Sequence, residues 1–106
     1  MKNKTKTALL IAPIVLCAGG AFAADAAANW TQRCAACHGK DGSGSTMMGK
    51  KLSVKDYRDA KVQAEFTDAQ AAQVIKDGKD KMKGFKGKLS DDEIKALVAY
   101  VRTLKK

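Results

Sequence analysis

The pentapeptide Cys34-Ala35-Ala36-Cys37-His38 holds the only histidine of the chain and two of its three cysteines. Residues three apart lie on the same face of a helical turn, so both thiols can reach one bound group. The histidine follows the second cysteine directly and places an imidazole beside the two thiols. This spacing indicates a site that needs all three side chains at once.

Three kinds of site use a cysteine pair of this type. A disulfide or a thioredoxin-like redox motif calls for alternating strands and helices around it, and no strand pattern is found in this sequence. Structural zinc needs four ligands, and only Cys17 in the first 23 residues remains as a further cysteine or histidine. Attachment of a c-type haem needs two thiols for its vinyl carbons and an imidazole for its iron. The sequence therefore predicts one haem c, attached through Cys34 and Cys37 and ligated by His38.

Length and composition agree with a small domain that needs such a group. The chain has 106 residues and a formal net charge of +9, which excludes a large multidomain enzyme. After residue 23, Leu, Ile, Val and Phe make up only 13 of 83 residues, about 16%. Charged chains below roughly 20% tend to be disordered. Either these residues do not fold alone, or a bound group fills their core.

The first 23 residues have the composition of a secretory signal. They begin with three lysines, continue with an apolar run and end on the small-residue pattern Ala21-Phe22-Ala23. A retained membrane anchor is the alternative. The apolar run is shorter than the roughly 20 residues that span a bilayer, and Pro13 interrupts it. We expect cleavage after Ala23, which leaves residues 24–106 as a periplasmic domain with a net charge of +6.

Three segments resemble a bacterial class I c-type cytochrome, and together the match covers essentially residues 26–104. They are CAACHGKDG from residue 34, KDKMKGFKGKLSDDE from residue 79 and IKALVAYVRTL from residue 94. The resemblance implies an all-α fold of about four helices wrapped around one haem. It also implies a histidine and a methionine on the two axial sides of the iron, and electron transfer between larger redox complexes.

The resemblance indicates Met82 as the second axial ligand, because the family carries its methionine shortly before the last helix. Thioether sulfur suits haem iron and raises its potential. Met47 and Met48 are the other candidates, and we expect them to line the haem pocket instead. Lys83 follows Met82 where many relatives have proline. The mature chain has no proline, so the sequence names no hydrogen-bond partner for His38.

Capping signals and apolar spacing predict the helices. Two capping boxes, Thr67 to Gln70 and Ser90 to Glu93, mark helix starts. By resemblance, Ala26 and Trp30 of the first helix pack against Leu97 and Tyr100 of the last. Helices are expected over residues 26–37, within 55–65, from the Thr67 cap to Gly78 and from the Ser90 cap to residue 104, with a glycine-rich loop over 39–49.

Function follows from the ligand set. Iron held by His38 and Met82 has no open position for a substrate, which predicts an electron carrier and no enzyme activity. The alternative is a small haem enzyme or gas sensor, for example peroxidase-like, with an open or labile sixth position. For that alternative, no second histidine is available.

Six lysines between residues 76 and 88, called the lysine cluster below, predict the kind of partner. Because these lysines surround the Met82 segment, we expect docking to redox proteins with acidic surfaces; an ordinary solvated face is the alternative. Nucleic acid is not expected, since no aromatic residues interleave with the basic ones. We expect a monomer without stable membrane insertion once the signal is cleaved. The lysine cluster consists of Lys76, Lys79, Lys81, Lys83, Lys86 and Lys88.

Overall fold

A computed structural model describes residues 25–106, so the expected signal over residues 1–23 lies outside the described residues. Within them the fold is helical, as predicted, with one helix more than the expected four and one short hairpin. No helix in this range has both the length and the apolar run needed to cross a membrane. The elements are α1 (residues 25–38), α2 (Met47–Leu52), α3 (Ala60–Gln63), α4 (Asp68–Asp77), β1 (Gly78–Lys79), β2 (Met82–Lys83) and α5 (Asp91–Thr103).

Helix α1 carries the cysteine motif and contains a wide turn that the sequence did not predict. Its segment Trp30–Cys34 is π-helical, and the Ala35 amide donates to the Trp30 carbonyl. A regular α-helical turn then covers Ala35–His38, and Gly39 ends it with a φ of 86°. π-helical turns often occur at functional sites. Here the wide turn ends at Cys34, and the next turn carries Cys37 and His38.

The predicted packing residues of the first and last helices are confirmed as core. Ala26 and Leu97 are each only 1% exposed, and Trp30 is 3% exposed. The rings of Trp30 and Tyr100 pack with their centroids 5.7 Å apart. The indole Nε1 of Trp30 also donates to the carbonyl of Gly39 at 3.0 Å, which ties the core to the end of the motif.

Both capping boxes are confirmed. The Thr67 hydroxyl accepts from the Gln70 amide at 3.0 Å, and the Gln70 side chain accepts from the Thr67 amide at 2.8 Å. Ser90 and Glu93 exchange the same pair of bonds at the start of α5. Each box satisfies two amides that a helix start leaves without partners. Gly78, with a φ of 84°, ends α4 as predicted.

The glycine-rich stretch after the motif is only partly a loop, because it also forms α2. The Thr46 hydroxyl accepts from the Gly49 amide at 2.8 Å and donates to the Cys37 carbonyl at 2.7 Å. A Cβ on Gly49 would lie against the backbone oxygens of Cys37 and Gly44. Glycine is a poor helix former, so tertiary packing overrides local propensity here. The glycine lets α2 approach the end of α1.

Two further segments differ from the expected ones. Of residues 55–65, only Ala60–Gln63 are helical, with the Asp59 side chain accepting from the Lys61 amide at 2.8 Å. The absence of strands is also wrong, because β1 and β2 form an antiparallel pair. Each strand has only two residues, too short for an alternating pattern to appear in the sequence.

We predict that Gly49→Ala destabilises the protein by about 1–3 kcal/mol, because the added methyl group must push α2 away from backbone atoms. Lys50→Ala, an exposed change in the same helix, is the control and should stay within about 0.5 kcal/mol. Chemical denaturation of both variants measures the difference. Equal stability of the two variants would show that the close approach at Gly49 is not needed.

Candidate haem site

The two cysteines of the motif lie on a half-buried part of α1. Neither Cys34 nor Cys37 forms a disulfide in the part of the chain that the structure describes. Burial raises the pKa of Cys34 to about 11, with the charge of Arg33 acting in the opposite direction. Redox-active cysteine pairs depend on a lowered thiol pKa. The environment of Cys34 therefore argues against a thioredoxin-like pair.

His38 lies between two aromatic side chains at the end of α1. Its ring centroid is 5.6 Å from that of Trp30 and 5.4 Å from that of Tyr57, with the Tyr57 ring stacked at 28°. Burial lowers the pKa of His38, which favours the neutral imidazole that can bind a metal. Its Nδ1 is buried and has no hydrogen-bond partner among residues 25–106.

Apolar side chains surround the motif. Cys34 and Ala35 pack against the core of Trp30 and Leu97, and half-buried side chains from later helices and turns join them. Two thiols, a neutral imidazole and apolar walls are the features that a covalently bound haem requires, so the residues present fit this group. The half-buried apolar side chains packed on the core also include Tyr57, Phe66, Ala72, Ile75, Phe85, Tyr100 and Leu104.

Met82 comes from a different element, the hairpin strand β2, and its side chain is half-buried. The segment after it folds back on α4, where the Phe85 amide donates to the Ile75 carbonyl at 2.8 Å. The Arg33 guanidinium lies 5.8 Å from the centre of the Phe85 ring. The Met82 segment is thus linked to α1 within three residues of the methionine.

The structure places Met47 and Met48 at the surface. They begin α2, and their exposed fractions are 88% and 45%, the largest exposed apolar side chains of the described residues. The expectation that both line a pocket is therefore not met. In the same helix, Gly49 is the residue whose backbone lies against the Cys37 carbonyl of α1.

Sequence reasoning missed Tyr57 as a neighbour of His38. The two residues are 19 positions apart, and Tyr57 lies in a turn after α2 whose sequence has no pattern that would indicate the contact. The Tyr57 amide donates to the Gly42 carbonyl at 2.8 Å, which brings this turn back to the motif. The only sequence signal for this contact was the position of Tyr57, an aromatic residue, in a polar turn.

The predicted lysine cluster lies mainly on the hairpin and the turn after it. Five of its six members are exposed, and the sixth, Lys76, is half-buried and pairs with Asp91 at 3.5 Å. Asp77 and Asp80 are exposed in the same segment and offset part of the charge. The cluster therefore forms a positive surface around Met82.

Comparison with known proteins finds a family model and a relative with similar sequences. Residues 21–101 match the family model described as cytochrome C oxidase, cbb3-type, subunit III. The chain is similar to a cytochrome c6 of Leptolyngbya boryana, at 37% identity over 84 residues, which are 74% of this chain and 91% of the relative.

Two similar solved structures are also c-type cytochromes. The KustC0563 c-type cytochrome has a TM-score of 0.72 and 38% identity, and the match covers 76% of this chain and 98% of that one. A point mutant of the same cytochrome has a TM-score of 0.70 at 38% identity, over 76% and 99% of the two chains. Fold and sequence thus point to the same class of protein.

Proposed function

This chain belongs to the cytochrome c family as a small class I c-type cytochrome with haem c, and we propose that it is a periplasmic carrier of single electrons between larger redox complexes. Its cytochrome relatives indicate the general role, which is electron transfer with redox partner proteins. The observation that carries the proposal is the placement of two thiols and a half-buried imidazole, whose pKa is lowered by burial, at the end of one helix. When bound, the haem iron supplies one-electron chemistry by alternating between its ferric and ferrous states.

Cys34 and Cys37 would hold a haem covalently, and His38 would bind its iron. Both cysteines are free thiols in the described residues, and the S–H of each would add across a vinyl group to form a thioether. His38 supplies a neutral imidazole whose ring is held by Trp30 and Tyr57. The aromatic walls exclude water from this side of the site and favour a single orientation of the ring.

We assign the other axial position to Met82. Its side chain is half-buried, and the contact of Arg33 with Phe85 ties its segment to the motif helix. The surface positions of Met47 and Met48 support this choice over the two alternatives. With His38 and Met82 both bound to the iron, a substrate would find no free site on it, which favours electron transfer over peroxidase-like or gas-sensing chemistry.

Location and partners complete the proposal. The lysine-rich and apolar pattern of residues 1–23 supports export to the periplasm and cleavage after Ala23. The positive surface around Met82 supports docking of acidic redox partners by a monomeric carrier. Positive charge around Met82, the proposed iron ligand, would increase the encounter rate with such a partner.

We predict that Met82→Ala removes the weak far-red absorption band of sulfur-ligated ferric haem. It should also lower the reduction potential and allow carbon monoxide to bind the ferrous form readily, since a position on the iron becomes open. Met47→Ala and Met48→Ala are matched controls and should keep the band. Loss of the band in either control, with Met82→Ala unaffected, would assign the ligand to α2. A wild-type protein without the band that binds carbon monoxide readily would instead support the enzyme or sensor alternative.

We predict that Lys81, Lys83 and Lys86 changed together to Glu slow electron transfer to a small acidic redox protein by about tenfold or more at low salt. Stopped-flow kinetics should assign the loss to the association rate and show that it shrinks as salt screens the charges. The control reverses three exposed lysines elsewhere, with the same change in net charge. Equal slowing by both triple variants would contradict a defined docking surface. The control residues are Lys50, Lys51 and Lys61.

A further inference from the structure

We propose that Arg102 and Gln63 are positioning residues for the iron ligand His38 and that they act through Tyr57. The proposal rests on the function proposed above, in which His38 binds the iron. Neither residue is part of the haem motif, and both lie on elements far from it in the sequence, α5 and α3. Their contacts form a continuous path to the His38 ring.

Arg102 uses all three nitrogens of its guanidinium group on the segment from the last residue of α3 to the first residue of α4. Nε donates to Asp68 at 2.8 Å, and Nη2 donates to the Phe66 carbonyl at 2.8 Å. Nη1 donates to the Gln63 side-chain oxygen at 2.9 Å and to its carbonyl at 2.5 Å. The guanidinium carbon also lies 4.3 Å from the centre of the Phe66 ring. One side chain thus fixes both Gln63 and Phe66.

Gln63 passes this constraint on to Tyr57. It is 7% exposed and is the one buried polar residue among residues 25–106. Its Nε2 donates to the Tyr57 carbonyl at 2.8 Å and to the Val101 carbonyl at 2.9 Å. With its oxygen bound to Arg102, every part of the amide has a partner. A buried amide with this many bonds has a single stable orientation, which also fixes the Tyr57 backbone.

Tyr57 is the last step of the path. Phe66 contacts the Tyr57 ring edge to face, with centroids 6.0 Å apart. The opposite neighbour of Tyr57 is His38, stacked at 5.4 Å. Arg102 therefore acts on the Tyr57 ring in two ways, through Gln63 on the backbone and through Phe66 on the ring.

The effect on His38 follows from its lack of a polar partner. A metal-bound histidine normally donates its second ring N–H to an acceptor, and this bond sets the ring orientation. Nδ1 of His38 is buried without such an acceptor in the described part of the chain. Its orientation is set by packing between Trp30 and Tyr57 instead. A shift of Tyr57 should rotate the ligand ring and change its interaction with the iron.

The test uses two variants. Gln63→Met removes the amide but keeps the length of the side chain. Arg102→Lys keeps the positive charge but loses the three guanidinium nitrogens that bond Asp68, Phe66 and Gln63. Arg58→Lys is the matched control, because Arg58 also holds a carboxylate with Nε and Nη2, at 3.0 and 2.9 Å from Asp56. Arg58 adjoins Tyr57 in sequence but makes no side-chain bond to Gln63 or Phe66. The readouts are the haem-methyl NMR shifts of the ferric protein, which report ligand orientation, and the midpoint potential.

We expect Gln63→Met and Arg102→Lys to redistribute the haem-methyl shifts and to move the midpoint potential, while Arg58→Lys matches the wild type in both. A purely structural role would destabilise the ferric and ferrous forms equally, leave the potential and the shifts unchanged and overturn the proposal. If Gln63→Met does not mature, Arg102→Lys decides between the two results. A wild-type ferric spectrum without histidine ligation would instead contradict the proposed function itself.

Discussion

The covalent attachment of haem c that we propose on α1 is the interaction on which the rest of this structure depends. Residues 24–106 have few large apolar residues, and the buried cluster consists of Trp30, Leu89, Ile94, Leu97 and Val101. Around it the apolar side chains are only half-buried, and the motif lies among them. A domain of this size usually needs a staple beyond its own core. Haem held by Cys34, Cys37 and His38, as proposed, would supply that staple and a large apolar surface at once.

The same constraint explains why backbone contacts around the motif are so close. Gly49 lets α2 pack against the carbonyl of Cys37, and Trp30 donates to the carbonyl that follows the motif. These contacts fix the end of α1 from two sides. His38 stacks on Tyr57, and its Nδ1 has no hydrogen-bond partner among residues 25–106. With His38 as the proposed iron ligand, the electronic properties of the iron would depend on this aromatic packing. Function and stability are therefore linked through the same few side chains.

The sequence predicted most of what depends on local signals. The haem motif and both capping boxes are contained within a few neighbouring residues, and the structure has the helices that the boxes begin. The sequence did not indicate the wide turn at Trp30–Cys34. It also did not indicate α2, because α2 contains Gly49, a poor helix former that packs against the backbone of Cys37. The bonds of Arg102 to Gln63 span 39 residues and leave no periodic pattern. The assignment of Met82 came from family resemblance, since three methionines of the mature chain are chemically equivalent candidates.

The most direct test of the central role of haem is thermal unfolding of the Cys34→Ala, Cys37→Ala double variant, followed by circular dichroism beside the haem-bound wild type. If attached haem completes the core, the double variant should have much less helix than the wild type and no cooperative transition, because folding and haem attachment are one event. A sharp two-state transition from a state with native helix content would contradict this account, since the polypeptide would then fold on its own apolar residues.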